Sequence, residues 1–217
     1  MYEAILFDMD GVIFDSEVKV LECWKEIADK YNIKDIEIMC RKCLGLNREV
    51  TKEVFLKRYG QAFPYDMYKG EMAELFHRRY GGGRLPLKPG VVELLQYLKE
   101  NNKKIALASS TRSELVRREL SDAGLMDYFD VVIGGDMVEK SKPEPDIFIK
   151  ACEQLGVSRY NAFGVEDSYN GIRALAAGGI KAIMVPDMVE ANDEIKGLAE
   201  IILPDLFAVK AFLQKNS

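Results

Sequence analysis

The chain has 217 residues, 48% of them hydrophobic and 30% charged, with a formal net charge of -5, enough for a well-buried core in one large or two modest domains. Its acidic balance, with Lys and Arg spread among acids, argues against a nucleic-acid partner. No apolar run is long enough to span a bilayer, and no basic-then-apolar leader opens the sequence, so a cytoplasmic monomer that meets a small molecule and no membrane is expected. Cys40 and Cys43 form one Cys-x-x-Cys pair, but Cys23 and Cys152 do not supply a second, so reduced, partly buried thiols are expected. His77 is the only histidine, which weighs against triad or zinc chemistry.

Ala4 to Phe7 has the composition of a buried strand, and it ends abruptly in Asp8-Met9-Asp10-Gly11. Asp15-Ser16-Glu17 then offers a helix N-cap, and Val20, Leu21, Trp24, Ile27, Ala28 and Tyr31 follow at helical spacing. From there to Tyr80 the pattern predicts helices only, near 35 to 43, from Asn47 to Tyr59 and from Tyr65 to Tyr80. Gly81-Gly82-Gly83 stops the last of these, and Leu85-Pro86-Leu87-Lys88-Pro89 leads out as an extended connector. Beyond Pro89 strand and helix alternate. The strands are predicted at Lys104 to Ala108, Val131 to Ile133, Asn161 to Val165, Lys181 to Val185 and Glu200 to Leu203, with helices between them and a last helix holding Leu206, Val209 and Phe212. This order predicts an α/β fold, a Rossmann-like parallel-sheet core with an inserted all-helical cap. The core would comprise residues 1–15 and 87–217 and the cap residues 16–86, joined by two linkers that together make a hinge.

In an open parallel sheet the ligand sits at the carboxyl ends of the strands. The predicted strands end in Asp8 and Asp10, in Ser109-Ser110-Thr111, in the loop carrying Lys142, and in Glu166-Asp167-Ser168. Two carboxylates about 4 Å apart repel by a few kcal/mol, so the Asp8 and Asp10 pair calls for a cation. Hard carboxylate oxygens suit magnesium. Asp8 and Asp167 are its candidate ligands, with Asp10 contributing a backbone carbonyl; whether Glu166 ligates directly stays open. Hydroxyls, backbone amides at a helix start and Lys142 would receive phosphate oxygens, and Met9, Ser110, Thr111 and Ser168 are the expected phosphate contacts. With its charge offset, Asp8 can attack phosphorus and Asp10 can carry the proton.

Asp8-Met9-Asp10-Gly11-Val12, Ser109 after an apolar strand, Lys142-Pro143-Glu144-Pro145-Asp146 and Glu166-Asp167-Ser168 resemble, in order and spacing, the four motifs of the haloacid dehalogenase superfamily. The helical insert is similar to the small cap of its beta-phosphoglucomutase-like phosphatases. The resemblance covers essentially the whole chain. It implies magnesium, Asp8 as nucleophile, Asp10 as general acid/base, and Ser109 and Lys142 as ligands of the phosphate and of the intermediate. It does not imply dehalogenation, because the true dehalogenases lack the second aspartate.

The resemblance leaves the substrate open. In the mutase-like members a histidine commonly stands where this chain has Val20, which favours a phosphatase acting on a small phosphate monoester, a sugar phosphate, over a mutase. Arg48 looks like the cap arginine that binds a distal phosphate, or it is an exposed residue in the first turn of a helix. A phosphate-binding regulator without turnover is a further alternative; receiver domains, the nearest such case, lack a helical cap.

Overall fold

The computed structural model describes residues 2–216. Its strands are β1 (Ala4–Phe7), β2 (Lys104–Ser109), β3 (Val131–Gly134), β4 (Ala162–Glu166), β5 (Lys181–Met184) and β6 (Ile201–Ile202). They form one parallel sheet in the order β3-β2-β1-β4-β5-β6. Parallel strands covered on both faces read as continuous apolar runs, and all four residues of β1 are buried. One face packs Ile5, Phe7, Leu107 and Val165 against α5 (Val91–Glu100) and α10 (Leu206–Lys215). The other packs Leu6, Ala106 and Ala182 against α7 (Asp146–Leu155) and α8 (Tyr169–Ala177). Phe7 lies opposite Leu107 of β2 and Val165 of β4, so the three central strands stop at nearly the same height. The residues that follow them share one edge, and that register assembles the site.

Between β1 and β2 the chain forms α1 (Ser16–Tyr31), α2 (Ile36–Lys42), α3 (Arg48–Tyr59) and α4 (Tyr65–Tyr80). These helices bury an apolar cluster of their own, centred on Trp24, Phe55, Tyr65 and Met72. Trp24 lies over Phe55 at a ring separation of 5.3 Å, and Phe55 meets Tyr65 edge-on at 5.0 Å. The two connecting segments run side by side: Asp15 N–H donates to Pro86 O at 2.9 Å, and Lys88 N–H donates to Ile13 O at 2.9 Å. An isolated antiparallel bridge joins Phe14 to Leu87 between them. The loop between α2 and α3 rests on the sheet edge, where Ser110 Oγ donates to Gly45 O (3.1 Å) and Asn170 Nδ2 donates to Leu44 O (3.0 Å).

Several local expectations need correction. Asp15 precedes α1 but its side chain caps nothing; the carboxylate instead lies 4.0 Å from Lys88 Nζ. The sixth strand is two residues long, because it sits at the sheet edge with Ile202 exposed. A short helix, α9 (Asp193–Leu198), was not legible in the sequence: Ile195 is its only buried side chain, too little for a periodic pattern. All four cysteines are free thiols, Cys23 and Cys152 buried and the other two half-buried. Among the described residues no helix is long and apolar enough to cross a membrane.

Phe55 is 1% exposed at the centre of the helical cluster, and Trp24, the only tryptophan, reports on it. Phe55→Ala is expected to destabilise that cluster by about 3–5 kcal/mol. In urea titrations the Trp24 fluorescence transition should move to markedly lower denaturant; an unmoved transition would refute the packing assignment.

Candidate active site

Lys142 carries an ammonium buried among carboxylates. Its Nζ donates to Asp8 Oδ1 (2.5 Å), to Glu166 Oε1 (2.6 Å) and to Ala108 O (3.1 Å), so all three donors are used. The residue is 2% exposed. Burial opposes its charge, but Asp8 and Glu166 outweigh burial and hold the ammonium above its usual value. Three chain segments meet there: Asp8 follows β1, Glu166 ends β4, and Lys142 comes from the loop between β3 and α7.

Glu166 is braced from the other side. Its Oε2 accepts from Asp167 N–H (3.1 Å), Ser168 N–H (3.1 Å) and Ser168 Oγ (3.0 Å), at the start of α8 where helix N–H groups point outward. The Ser168 hydroxyl also accepts from Gly171 N–H at 3.1 Å, making it the helix N-cap. A side chain on Gly171 would overlap the Glu166 carboxyl, so glycine is required to seat the helix start against it. The expectation of Ser168 as a phosphate contact is therefore corrected: its hydroxyl is occupied in holding Glu166 and capping α8.

Asp8, Glu166 and Asp167 each offer a carboxylate oxygen, and these lie within 4.8 Å of one another, all three residues buried. Asp167 Oδ2 has no hydrogen-bond partner. Burial, then the charges of Glu166 and Asp8, push the Asp167 carboxyl well up from its usual range. Burial likewise lifts Asp8 to about 7, with Glu166 and Asp10 adding to burial and Lys142 opposing it. An orphaned buried oxygen in a set of hard oxygen donors fits a hard divalent cation. Glu166 has both oxygens engaged, which leaves Asp8 and Asp167 as the better-placed donors. The Asp10 carboxylate stands outside this group; the part expected of Asp10 toward the ion is a backbone carbonyl. Gly11, at φ 81°, turns the chain directly after Asp10, and a Cβ there would strike the Asp167 carboxylate.

Asp10 is held separately. Ser16 Oγ donates to its Oδ1 (2.6 Å) and Thr111 Oγ1 donates to its Oδ2 (3.2 Å), fixing the carboxylate from the cap side and the core side at once. Ser109 Oγ, at the end of β2, accepts from Thr111 N–H at 3.0 Å, which sets the bend of that loop. Met9 is buried beneath the loop, and Ser110 spends its hydroxyl on Gly45 O of the cap. Arg48 is not brought to the carboxylates; it is exposed at the start of α3 and pairs with Asp66 at 3.4 Å.

Two cleft residues escaped the sequence reading. Glu17, in the first turn of α1, is half-buried, and burial followed by the charges of Asp10 and Asp8 pushes its carboxyl up to about 8. Lys69 on α4 is half-buried, and burial lowers its ammonium while Glu17 opposes that shift. The available signal was periodicity: Lys69 continues the Met72, Phe76, Tyr80 stripe of α4, and a lysine on an apolar stripe stands out.

The comparisons with known proteins agree with this geometry. A family profile described as haloacid dehalogenase-like hydrolase matches residues 5–185. The chain belongs to that family. It is 31% identical over 198 residues to the phosphorylated carbohydrates phosphatase of Thermotoga maritima, covering 91% of this chain and 90% of that one. It is 33% identical over 193 residues to the beta-phosphoglucomutase of Bacillus subtilis, covering 84% and 83%. The crystal structure of beta-phosphoglucomutase from Clostridium difficile superposes with a TM-score of 0.82 at 25% identity, over 99% of this chain and 96% of that one. Within the haloacid dehalogenase-like hydrolases, the chain falls in the beta-phosphoglucomutase-like group.

The raised Asp8 carboxyl has a consequence for stability. Its folded value near 7 exceeds the ordinary 3.8, so the native state binds the extra proton. Stability from this group is full below the ordinary value and is lost as pH rises through the folded one. Without divalent cations, Asp8→Asn is therefore expected to become increasingly more stable than the parent protein between pH 5 and 7.5. Thermal melts across that range check it; a pH-independent difference would refute the shift.

Proposed function

We propose that this protein is a magnesium-dependent phosphatase that hydrolyses a small phosphate monoester, a sugar phosphate, through an aspartyl-phosphate on Asp8. The observation that carries the reading is the pairing of Asp8 with a saturated, buried Lys142 next to the unpartnered Asp167 oxygen, while Asp10 is held apart by two hydroxyls. Residues 16–86 would act as the cap over a core of residues 1–15 and 87–217. Asp8 and Asp167 would hold the magnesium ion with Glu166 behind them; when bound, it offsets charge on the phosphate.

The remaining chemistry belongs to the chain. An Asp8 oxygen attacks phosphorus, the bond to the leaving alcohol breaks, and Asp10 gives that alcohol its proton. Asp10 then takes a proton from water as the water attacks the aspartyl-phosphate, releasing inorganic phosphate and restoring Asp8. Lys142 stays charged throughout and orients Asp8. Ser109 and Thr111, at the end of β2, together with the Met9 backbone, are the phosphate contacts of this reading, with Ser110 beside them holding the cap loop. Arg48 is kept as a distal contact only if its pair with exposed Asp66 opens. A small phosphorylated metabolite is the partner, and a cytoplasmic monomer remains the expected setting.

A mutase is the second reading, favoured by the 33% identity to a beta-phosphoglucomutase. What supports the phosphatase is Val20, an apolar side chain at the cleft that can neither carry a proton nor hold a hydroxyl.

Phosphorus NMR with magnesium and a panel of hexose, pentose and triose phosphates, including beta-glucose 1-phosphate, tests both. Growth of inorganic phosphate is expected; interconversion of ester signals without free phosphate would instead establish the mutase. Asp8→Asn should abolish turnover by orders of magnitude in a folded protein, and near-normal phosphate release would remove Asp8 as nucleophile. Asp10→Asn should slow turnover at least about a hundredfold with magnesium affinity within about twofold, read by calorimetric titration; unchanged turnover would remove Asp10 from proton transfer.

A further inference from the structure

A cavity of about 470 Å³ opens from the Asp10 end of the site between α4 and α6 (Ser113–Asp122). Asp10, Thr111 and Lys69 line one part of it. Most of the remaining wall is apolar: Met9, Phe14, Val20, Met72, Phe76 and Leu115 all face it, while exposed His77, Arg118 and Asp122 lie at its margin. At ~30 Å³ per water the space would take about fifteen waters, far more than one sugar ring displaces. Its walls also suit a sugar poorly. A hydroxyl placed against Met72, Phe76 or Leu115 gives up a hydrogen bond to water and gains no partner. Binding pockets of this size are lined mainly by apolar side chains with a few polar groups that fix orientation, and that is the distribution here, with Asp10, Thr111 and Lys69 at the reacting end and half-buried Glu119 on the α6 wall.

We propose that this cavity is an aglycone pocket: the substrate is a sugar or polyol phosphate that also carries a flat, largely apolar ring, and the ring occupies the space between α4 and α6. The assignment rests on the phosphatase reading and refines its substrate class. The phosphate lies at Asp8 and Lys142, the hydroxylated part reaches Asp10, Glu17 and Lys69, and the ring lies along Phe76 and Leu115. Val20 acquires a role in this arrangement: it is part of the wall that a ring contacts.

Paired esters that differ only in the ring isolate the effect. Phosphate release is measured for phenyl β-glucoside 6-phosphate against methyl β-glucoside 6-phosphate, and for a purine nucleoside 5′-monophosphate against ribose 5-phosphate, with acetyl phosphate as a small reference. In at least one pair kcat/KM should be about 10- to 100-fold higher for the ring-bearing member, the gain expected from burying a side chain the size of phenylalanine. Ala73→Trp fills the cavity from an exposed position on α4 that takes no part in the chemistry. It should remove most of that advantage and leave acetyl phosphate hydrolysis within about twofold. Equal rates within both pairs, or an Ala73→Trp protein that keeps the advantage, would overturn the pocket and leave the phosphatase standing. Absence of phosphate release from every compound, acetyl phosphate included, would overturn the phosphatase reading and the pocket with it.

Discussion

One buried ammonium organises this molecule. Lys142 has surrendered its water, and the loss of hydration for such an ion runs to several kcal/mol even after relaxation. It is tolerable because three acceptors, two of them charged, replace the water at 2.5 to 3.1 Å. Each acceptor depends on a different part of the sheet: Asp8 on the end of β1, Ala108 on β2 and Glu166 on β4. The common stopping height of those strands, set by Phe7 opposite Leu107 and Val165, is what lets a single side chain reach all three. Removing Lys142 would leave carboxylates buried together without a counter-ion, so the loop that carries it is bound to the sheet by electrostatics as much as by packing.

The same centre gathers more carboxyl groups than Lys142 alone can balance. Asp8, Glu166 and Asp167 are all buried, and one of the Asp167 oxygens meets no donor. A fold governed by stability alone would have neutralised that oxygen. Glu166 shows how such neutralisation is done, since its second oxygen takes three donors at the N-terminus of α8 and lies close over Gly171. The contrast between a fully satisfied carboxylate and an unsatisfied neighbour distinguishes the brace from the working groups. It also explains why the two aspartates of the first loop differ: Asp8 points into the charged centre, whereas Asp10 is held by neutral hydroxyls from Ser16 and Thr111.

Much of this was legible in the sequence, for a definite reason. Buried parallel strands are continuous apolar runs, so a charge that ends one is conspicuous, and Asp8, Glu166 and Asp167 were found that way. Lys142 was found by its loop and by the motif resemblance. What could not be read was which polar atom each side chain would choose. Ser168 and Ser110 have the chemistry of phosphate ligands, yet local geometry commits one hydroxyl to Glu166 and the other to the cap. Arg48 has a carboxylate within reach on the neighbouring helix start, Asp66, and sequence separation hides that proximity. Glu17 and Lys69 lie on helices of the insert to which the sequence pattern assigned no site role beyond an N-cap segment, and only the packing of cap against core places them at the cleft. The helix at Asp193–Leu198 and the two-residue edge strand failed for the opposite reason: they bury too little to leave a pattern.

The contacts that seat the cap and those that hold the site share residues. Asp10 takes one hydrogen bond from Ser16, on the first helix of the cap, and one from Thr111, on the core. Ser110, the neighbour of Thr111, holds Gly45, and Asn170, two residues beyond the cap of α8, holds Leu44. Lifting the cap would break the contacts at residues 44 and 45 and would loosen the Ser16 arm of Asp10 in the same motion. The two linkers are paired through Asp15 with Pro86 and through Ile13 with Lys88, so a movement of the cap would turn about these two segments. If Asp10 carries the proton, as proposed, it is held by both arms only with the cap down, and proton transfer would then be favoured while bulk water is excluded. On the proposed mechanism the attacking water would have to enter beside Asp10 itself, and the cavity between α4 and α6, which opens at Asp10, would give it room once the ring-bearing alcohol has left.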